Sequence, residues 1–194
     1  PFNGVKDIAK HRIKAISINN FRHDPLRLLR AYRFVSELGW KAEPETRKMA
    51  RHLKKEIRKS APERITLEFF KLLNFKNFHN ALKAASDDGL LECFLSIPNK
   101  RLLENIRTIP SLELCIKKLP LNFKRNIEKP FSQELTFHGL LRLEHVLYSS
   151  SLNRNRLRLS RLIRERLKIV HKLLSKPEKQ DIFSQENLFN TFFK

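Results

Sequence analysis

A chain of 194 residues with 40 Lys and Arg against 20 Asp and Glu, a formal charge of +20, is suited to a phosphate polymer or an acidic surface. Its hydrophobic content of 41%, with 15 Phe, excludes a disordered polyelectrolyte, and its four Gly argue against a sandwich, a barrel or a Gly-rich phosphate loop. No apolar run approaches the ~20 residues that a membrane span needs, and no signal peptide opens the chain.

Residues 1–20 read as a lead-in. Asn3-Gly4 signals a turn, Val5 and Ile8 a brief helical turn, and Ile13 to Ile18 a short extended stretch. The opening Pro-Phe-Asn-Gly carries no initiator Met, so the chain is expected to begin inside a longer protein. From there the pattern is helical. A first long helix is expected from Asp24 to Leu38, closed by Gly39. It sets Asp24, Arg27, Arg30 and Arg33 at three-residue intervals among Leu26, Leu28, Leu29, Tyr32, Phe34 and Val35, so charge runs through ground that should be core. Such a stripe is expected to face a partly closed cleft, fit for an anion that also has a base edge to read. The competing account is a solvated face with intrahelical ion pairs.

Pro44 opens the next helix, with Glu43 and Glu45 at its N-terminus, and this strongly basic helix runs to Lys59. Ser60 and Glu63 match a capping box for a third, central helix from Pro62 to Leu73. A helix over 76–86 ends at Asp87-Asp88-Gly89, where the acids mark a turn and not a metal site. Pro98, Pro110, Pro120 and Pro130 punctuate shorter helices near 100–109, 111–119 and 122–128. A longer helix is expected from Gln133 to Tyr148, a loop over 149–153, and a basic amphipathic helix over 156–175. Arg158, Arg161 and Arg164 recur there close to one face. Two readings of that face stay open: contact with an RNA backbone, or a solvated exterior. The last segment, from Ser184, starts like a helix and ends on Phe192-Phe193-Lys194, so the natural chain is expected to continue. Cys93 and Cys115 lie far apart in apolar runs, as two buried free thiols would. The histidines, His138 and His145 included, show no metal-ligand spacing, and no Ser/His/Asp or Cys/His set stands out.

The segment from Phe21 to Gly39, Phe-Arg-His-Asp-Pro-Leu-Arg-Leu-Leu-Arg-Ala-Tyr-Arg-Phe-Val-Ser-Glu-Leu-Gly, resembles the neck-helix motif of the class II tRNA nucleotidyltransferases and poly(A) polymerases. Three flanking features agree. Pro1-Phe2-Asn3-Gly4 with Asp7 is similar to the segment joining that family's catalytic head to its neck, and Glu43-Pro44-Glu45-Thr46 to the next helix start. Ser60-Ala61-Pro62-Glu63-Arg64-Ile65 with Glu68, Lys71, Leu72 and Leu73 resembles the neck motif that follows. The resemblance spans about residues 1–90; beyond that only a basic, helical character matches. His23 departs from it, because the family commonly has an acid before this aspartate.

The resemblance implies that Asp24 and Arg27 act as an amino-acid template for the incoming nucleotide, with Arg30 and Arg33 lining the nucleotide site. The chemistry of the pair agrees. A carboxylate only accepts hydrogen bonds and a guanidinium only donates. Cytosine and adenine each offer an amine donor beside a ring-nitrogen acceptor, whereas uracil and guanine offer a carbonyl and an N–H and would leave both partners unpaired. Each unpaired partner costs about 1–3 kcal/mol. Arg64 and Glu63 have two readings, bracing the third helix or, for Arg64, reaching substrate.

The implied fold is all-α, about eight helices: residues 1–20 the end of the head and a linker, 21–90 a neck with the nucleotide-recognition helix, and 91–194 a helical body with the start of a tail. The implied activity is addition of C and/or A to RNA 3′ ends from CTP or ATP, with RNA, the tRNA 3′ end above all, as partner and the cytoplasm as location. Mg²⁺ would be held by carboxylates of a head that precedes Pro1, so the 194 residues alone are expected to be inactive. The alternative is a non-catalytic helical RNA-binding module.

Overall fold

The computed structural model describes residues 4–132, 134–148 and 156–174. The loop expected over 149–153, Arg154 and the helix expected from Ser184 lie outside the described residues. Two compact units divide the chain, Pro1–Arg158 and Leu159–Lys194. Eleven helices and two small ladders make up the described residues, an all-α architecture.

The lead-in contains α1 (Gly4–Ala9) and a short strand β1 (Arg12–Ile13), which pairs in parallel with β2 (Lys41–Ala42). Between them lie α2 (Ile18–His23) and the first long helix, α3 (Leu26–Leu38). That helix begins two residues later than expected. Asp24 sits at the corner between α2 and α3 in extended conformation, φ −137° and ψ 91°, because a residue before proline is kept out of the helical region. Gly39 ends α3 as expected, at φ 69°, its N–H donating to the Val35 carbonyl at 3.0 Å.

Helix α4 (Pro44–Leu53) opens on Pro44 as expected but stops at Leu53, tightening into a 3₁₀ segment over Lys54–Lys59. Helix α5 (Pro62–Asn74) is central: Ile65, Phe69, Leu72 and Leu73 are fully buried. The capping box is absent. Ala61 occupies the N-cap position with no side-chain cap, and the buried Ser60 hydroxyl has no partner among the described residues. Pro62 takes the first helical position, where its fixed φ suits it, and this leaves Ser60 one residue too early to reach the open N–H groups.

Helix α6 (Phe78–Asp87) packs with α5 against α3; Leu28, Leu29 and Tyr32 of α3 and Ala81, Leu82 and Ala85 of α6 are buried. Ser36 donates to the Leu72 carbonyl at 2.8 Å, fastening α3 to α5. After the single turn α7 (Glu92–Leu95) comes α8 (Asn99–Lys118), which runs straight through Pro110 where a break was expected. A proline inside a helix costs about 3 kcal/mol, but Leu102, Ile106, Ile109 and Ile116 form one continuous buried face on both sides of it. That packing carries the helix across. Cys93 is buried; Cys115, on α8, is exposed, contrary to expectation.

After α9 (Leu121–Ile127), β3 (Pro130–Ser132) and β4 (Leu135–Thr136) pair antiparallel, and only then does α10 (Phe137–Val146) begin. The helix expected from Gln133 therefore starts four residues later. Thr136 caps it, accepting from the Gly139 N–H at 3.0 Å. The last helix, α11 (Arg161–Leu174), is likewise shorter than the 156–175 expected, with residues 156–160 non-helical. The Arg158 N–H donates to Thr66 Oγ1 at 2.7 Å, a bond to α5 in place of a helical one.

Candidate nucleotide and RNA interface

The corner at Asp24 and the first turns of α3 form the site. The Asp24 carboxylate lies 3.7 Å from Arg27 Nε and 3.5 Å from Arg64 Nη2. These are ion-pair separations, long for hydrogen bonds, so its oxygens keep acceptor capacity. The Asp24 side chain is one-quarter exposed and that of Arg27 one-half. Arg27 and Arg30 line a recess of about 320 Å³, together with Phe21, Ala31, Phe34 and Lys14; Asp24, expected to face the same cleft, is not among its lining residues and is tied to it through Arg27. Arg64, read from sequence as a brace or a substrate contact, reaches across from α5 to the same carboxylate. Glu63 faces Arg158, 3.8 Å away.

Arg33 does not join them. Its Nε donates to Glu68 at 2.8 Å, its Nη1 to Glu37, and its guanidinium lies 4.1 Å over the Phe34 ring. The side chain is only 12% exposed and is not among the groups lining the recess. Helical geometry explains the split: a three-residue step falls about 60° short of a full turn. By Arg33 the stripe has rotated far from Arg27 and met α5.

A second charged cluster went unread in the sequence. Asp88, expected only to end a helix, is 2% exposed. Its carboxylate accepts from Tyr32 Oη at 2.5 Å, from Arg47 Nε at 2.7 Å and Nη2 at 3.0 Å, and from Arg51 Nη1 at 2.7 Å. Burial alone would raise the Asp88 pKa, but the hydrogen bonds from Arg47, Tyr32 and Arg51 outweigh it and hold the carboxyl below its ordinary range. Burial and the Asp88 charge push the Tyr32 hydroxyl well above its usual value. The three partners stand 37 to 56 residues away in sequence, so no local spacing could have announced the cluster.

The body carries a third. Arg142, buried, donates to Glu113 from Nε at 2.9 Å and to the Leu73 carbonyl from Nη1 at 2.6 Å, and lies 3.9 Å over the Phe78 ring. His138 bridges Glu113 and Glu128, at 3.1 Å each. Burial would raise the Glu113 carboxyl, yet His138 and Arg142 bring it down to about 2. His145 sits against the Asn105 carbonyl, with burial holding its pKa down. Arg161 and Arg164 are exposed on α11; Arg158 is exposed too, but precedes that helix.

The resemblance implied Mg²⁺, and the described residues do not fit it. No group of three or more His, Cys, Asp or Glu among them could hold a metal ion, and the acid of the Asp87-Asp88 pair that is buried is already saturated by two arginines and a tyrosine. Among the described residues, no helix is long and apolar enough to cross a membrane.

A multi-helical basic body with arginines beside a recess at the start of its first long helix is the arrangement that the sequence resemblance implied. Known proteins bear on that resemblance. The family model described as a probable RNA and SrmB-binding site of polymerase A matches residues 39–102. The chain is 33% identical to a CC-adding tRNA nucleotidyltransferase of Synechocystis over 140 residues, 72% of this chain and 33% of that protein. With a CCA-adding enzyme of Limosilactobacillus fermentum it shares 40% over 95 residues, 47% of this chain and 24% of that one. Its fold is similar to that of the Thermotoga maritima CCA-adding enzyme complexed with tRNA (TM-score 0.61, 18% identity, covering 89% of this chain and 41% of that one). It is also similar to a tRNA nucleotidyltransferase complexed with a primer tRNA and an incoming ATP analog (TM-score 0.67, 21% identity, 97% and 54%). These matches support a portion of a tRNA nucleotidyltransferase and poly(A) polymerase-family protein, and the chain spans a third or less of these curated relatives.

Proposed function

We propose that this chain supplies nucleotide selection and RNA contact to a nucleotidyltransferase that adds C and/or A to RNA 3′ ends from CTP or ATP. One observation carries the reading: Asp24, held loosely between Arg27 and Arg64, keeps open acceptors beside Arg27, which with Arg30 lines a recess. A base entering beside Arg27 meets an acceptor and a donor less than one turn apart. The amine of cytosine or adenine donates to Asp24, and the adjacent ring nitrogen accepts from Arg27. Uracil or guanine would set a carbonyl against the carboxylate and an N–H against the guanidinium. Phe21, Phe34 and Ala31 supply the apolar wall. Arg30 suits the ribose or phosphates; Arg33, fixed by Glu68 and Glu37, positions the helix.

Residues 1–20 would then be the link to the head, 21–90 the nucleotide-reading neck, and 91–194 the body and the start of a tail. Mg²⁺, which neutralises the triphosphate in such transfers, meets no group of three or more candidate ligands among the described residues and would be held by the head that the resemblance implies. A cytoplasmic location is in keeping with a tRNA-end substrate. The relatives, named for adding CC or CCA, do not favour a free-standing RNA-binding module.

Asp24→Ala in the longer protein is expected to reduce discrimination against UTP by about tenfold, the worth of one unmet buried hydrogen-bonding group. Nucleotide competition with CTP and UTP measures it, and unchanged selectivity would remove the template role. Replacing Arg158, Arg161 and Arg164 with Gln is expected to weaken tRNA binding and flatten its salt dependence; an unaltered salt slope would make them ordinary surface.

A further inference from the structure

The ladder that joins the lead-in to the end of α3 carries a groove that the nucleotide reading does not use. It encloses about 620 Å³ and is lined by Lys10, His11, Arg12, Trp40 and Lys41, with Glu43 the one acid. Lys10, Arg12 and Lys41 are exposed, and none of them is ion-paired among the described residues. Arg12 and Lys41 are register partners across the parallel β1–β2 pair. Like charges placed directly opposite repel and destabilise a ladder unless an anion lies between them. His11 adopts φ 50°, an uncommon conformation for a residue other than Gly. Its ring centroid lies 5.4 Å from that of Trp40 at an interplanar angle of 54°. The rings meet obliquely, and the indole is partly exposed.

A partly exposed aromatic ring flanked by cations that no described acid pairs matches one ligand chemistry: a nucleobase on the ring and its phosphates on the cations. We propose that this groove binds a single-stranded RNA segment, one base stacked on Trp40 and the flanking phosphates held by Lys10, Arg12 and Lys41. Residues 10–12 line this groove and 13–16 line the recess beside Arg27, so one short stretch of chain borders both. The assignment rests on RNA being the partner but not on Asp24 reading the base. A duplex offers no free base face and an acidic peptide no base at all; neither would use the indole.

Trp40 is the only tryptophan of the chain, so its intrinsic fluorescence reports this groove alone. A 5′-labelled adenylate strand of about six nucleotides, titrated onto the 194-residue chain, is followed by label anisotropy for total binding and by Trp40 emission for stacking. Emission is expected to quench in step with the anisotropy. Trp40→Ala should weaken affinity about tenfold, and Trp40→Phe should restore most of it. Lys41→Gln should flatten the salt slope. If Trp40→Ala fails to fold by circular dichroism, the wild-type quench and the Trp40→Phe affinity decide. Anisotropy rising with no change in emission, or a Trp40→Ala affinity within twofold of wild type, overturns this site and leaves the Asp24 reading standing. Equal competition by duplex RNA or by polyglutamate also overturns it, leaving only a charged patch. No rise in anisotropy overturns both this site and the RNA contact on which it rests.

Discussion

Asp24 and Asp88 are the same residue at two helix boundaries, and their surroundings give them opposite tasks. Asp88 is buried against Tyr32, Arg47 and Arg51 at hydrogen-bond distance, and its acceptor capacity is filled. Asp24 stands at a corner, one-quarter exposed, with two guanidinium groups near but none closer than 3.5 Å. A saturated carboxylate holds helices together; an unsaturated one can still read a donor. Both lean on α3, through Tyr32 at one point and Arg27 at another. The buried cluster thus fixes the helix whose first turn presents the open site.

The comparison is broken most sharply at Asp88. Asp88→Ala leaves the buried Tyr32 hydroxyl without its acceptor, while Arg47 and Arg51, partly exposed, can turn to water. The expected loss is about 2–4 kcal/mol, read from urea unfolding; a loss under ~1 kcal/mol would mean that packing alone holds α3, α4 and α6 together. Next comes Glu113, which plays the saturated part in the body. Its carboxyl sits at about 2, against an ordinary 4.5. A depressed carboxylate contributes stability that is complete above its ordinary value and is lost as pH falls toward the folded one. Unfolding midpoints should therefore drop between pH 4.5 and about 2, and Glu113→Gln should remove part of that drop while costing about 1–3 kcal/mol at neutral pH. An identical acid profile in the variant would assign the drop to other carboxylates. The smallest effect is at Asp24: Asp24→Ala should change stability by less than ~0.5 kcal/mol, since its exposed, loose pairs contribute little. A large loss there would make Asp24 a structural group like Asp88.

Helix ends were legible where chemistry is local and misread where it is not. Gly39 and Pro44 marked true boundaries because a left-handed φ and a first-turn proline are properties of the residue itself. Pro110 was misread because the buried face of α8 outweighs a lost hydrogen bond. Ser60–Glu63 had the right spacing for a cap, but Pro62 moved the helix start past it. Thr136 offered a usable cap signal that the apolar pattern of the following residues concealed. The stripe was seen as one feature, yet Arg33 parts from Arg27 by rotation about the helix and by the carboxylate that α5 brings to it.

From the order of residues alone came the helical class, the basic surface, and the kinship carried by the segment from Phe21 to Gly39, because periodicity, charge and motif spacing are written along the chain. Which charges remain open was settled only by folding. Arg64, Glu68 and Asp88 reach their partners from 35 or more residues away, and whether a carboxylate is filled depends on what such distant segments bring within 3 Å of it.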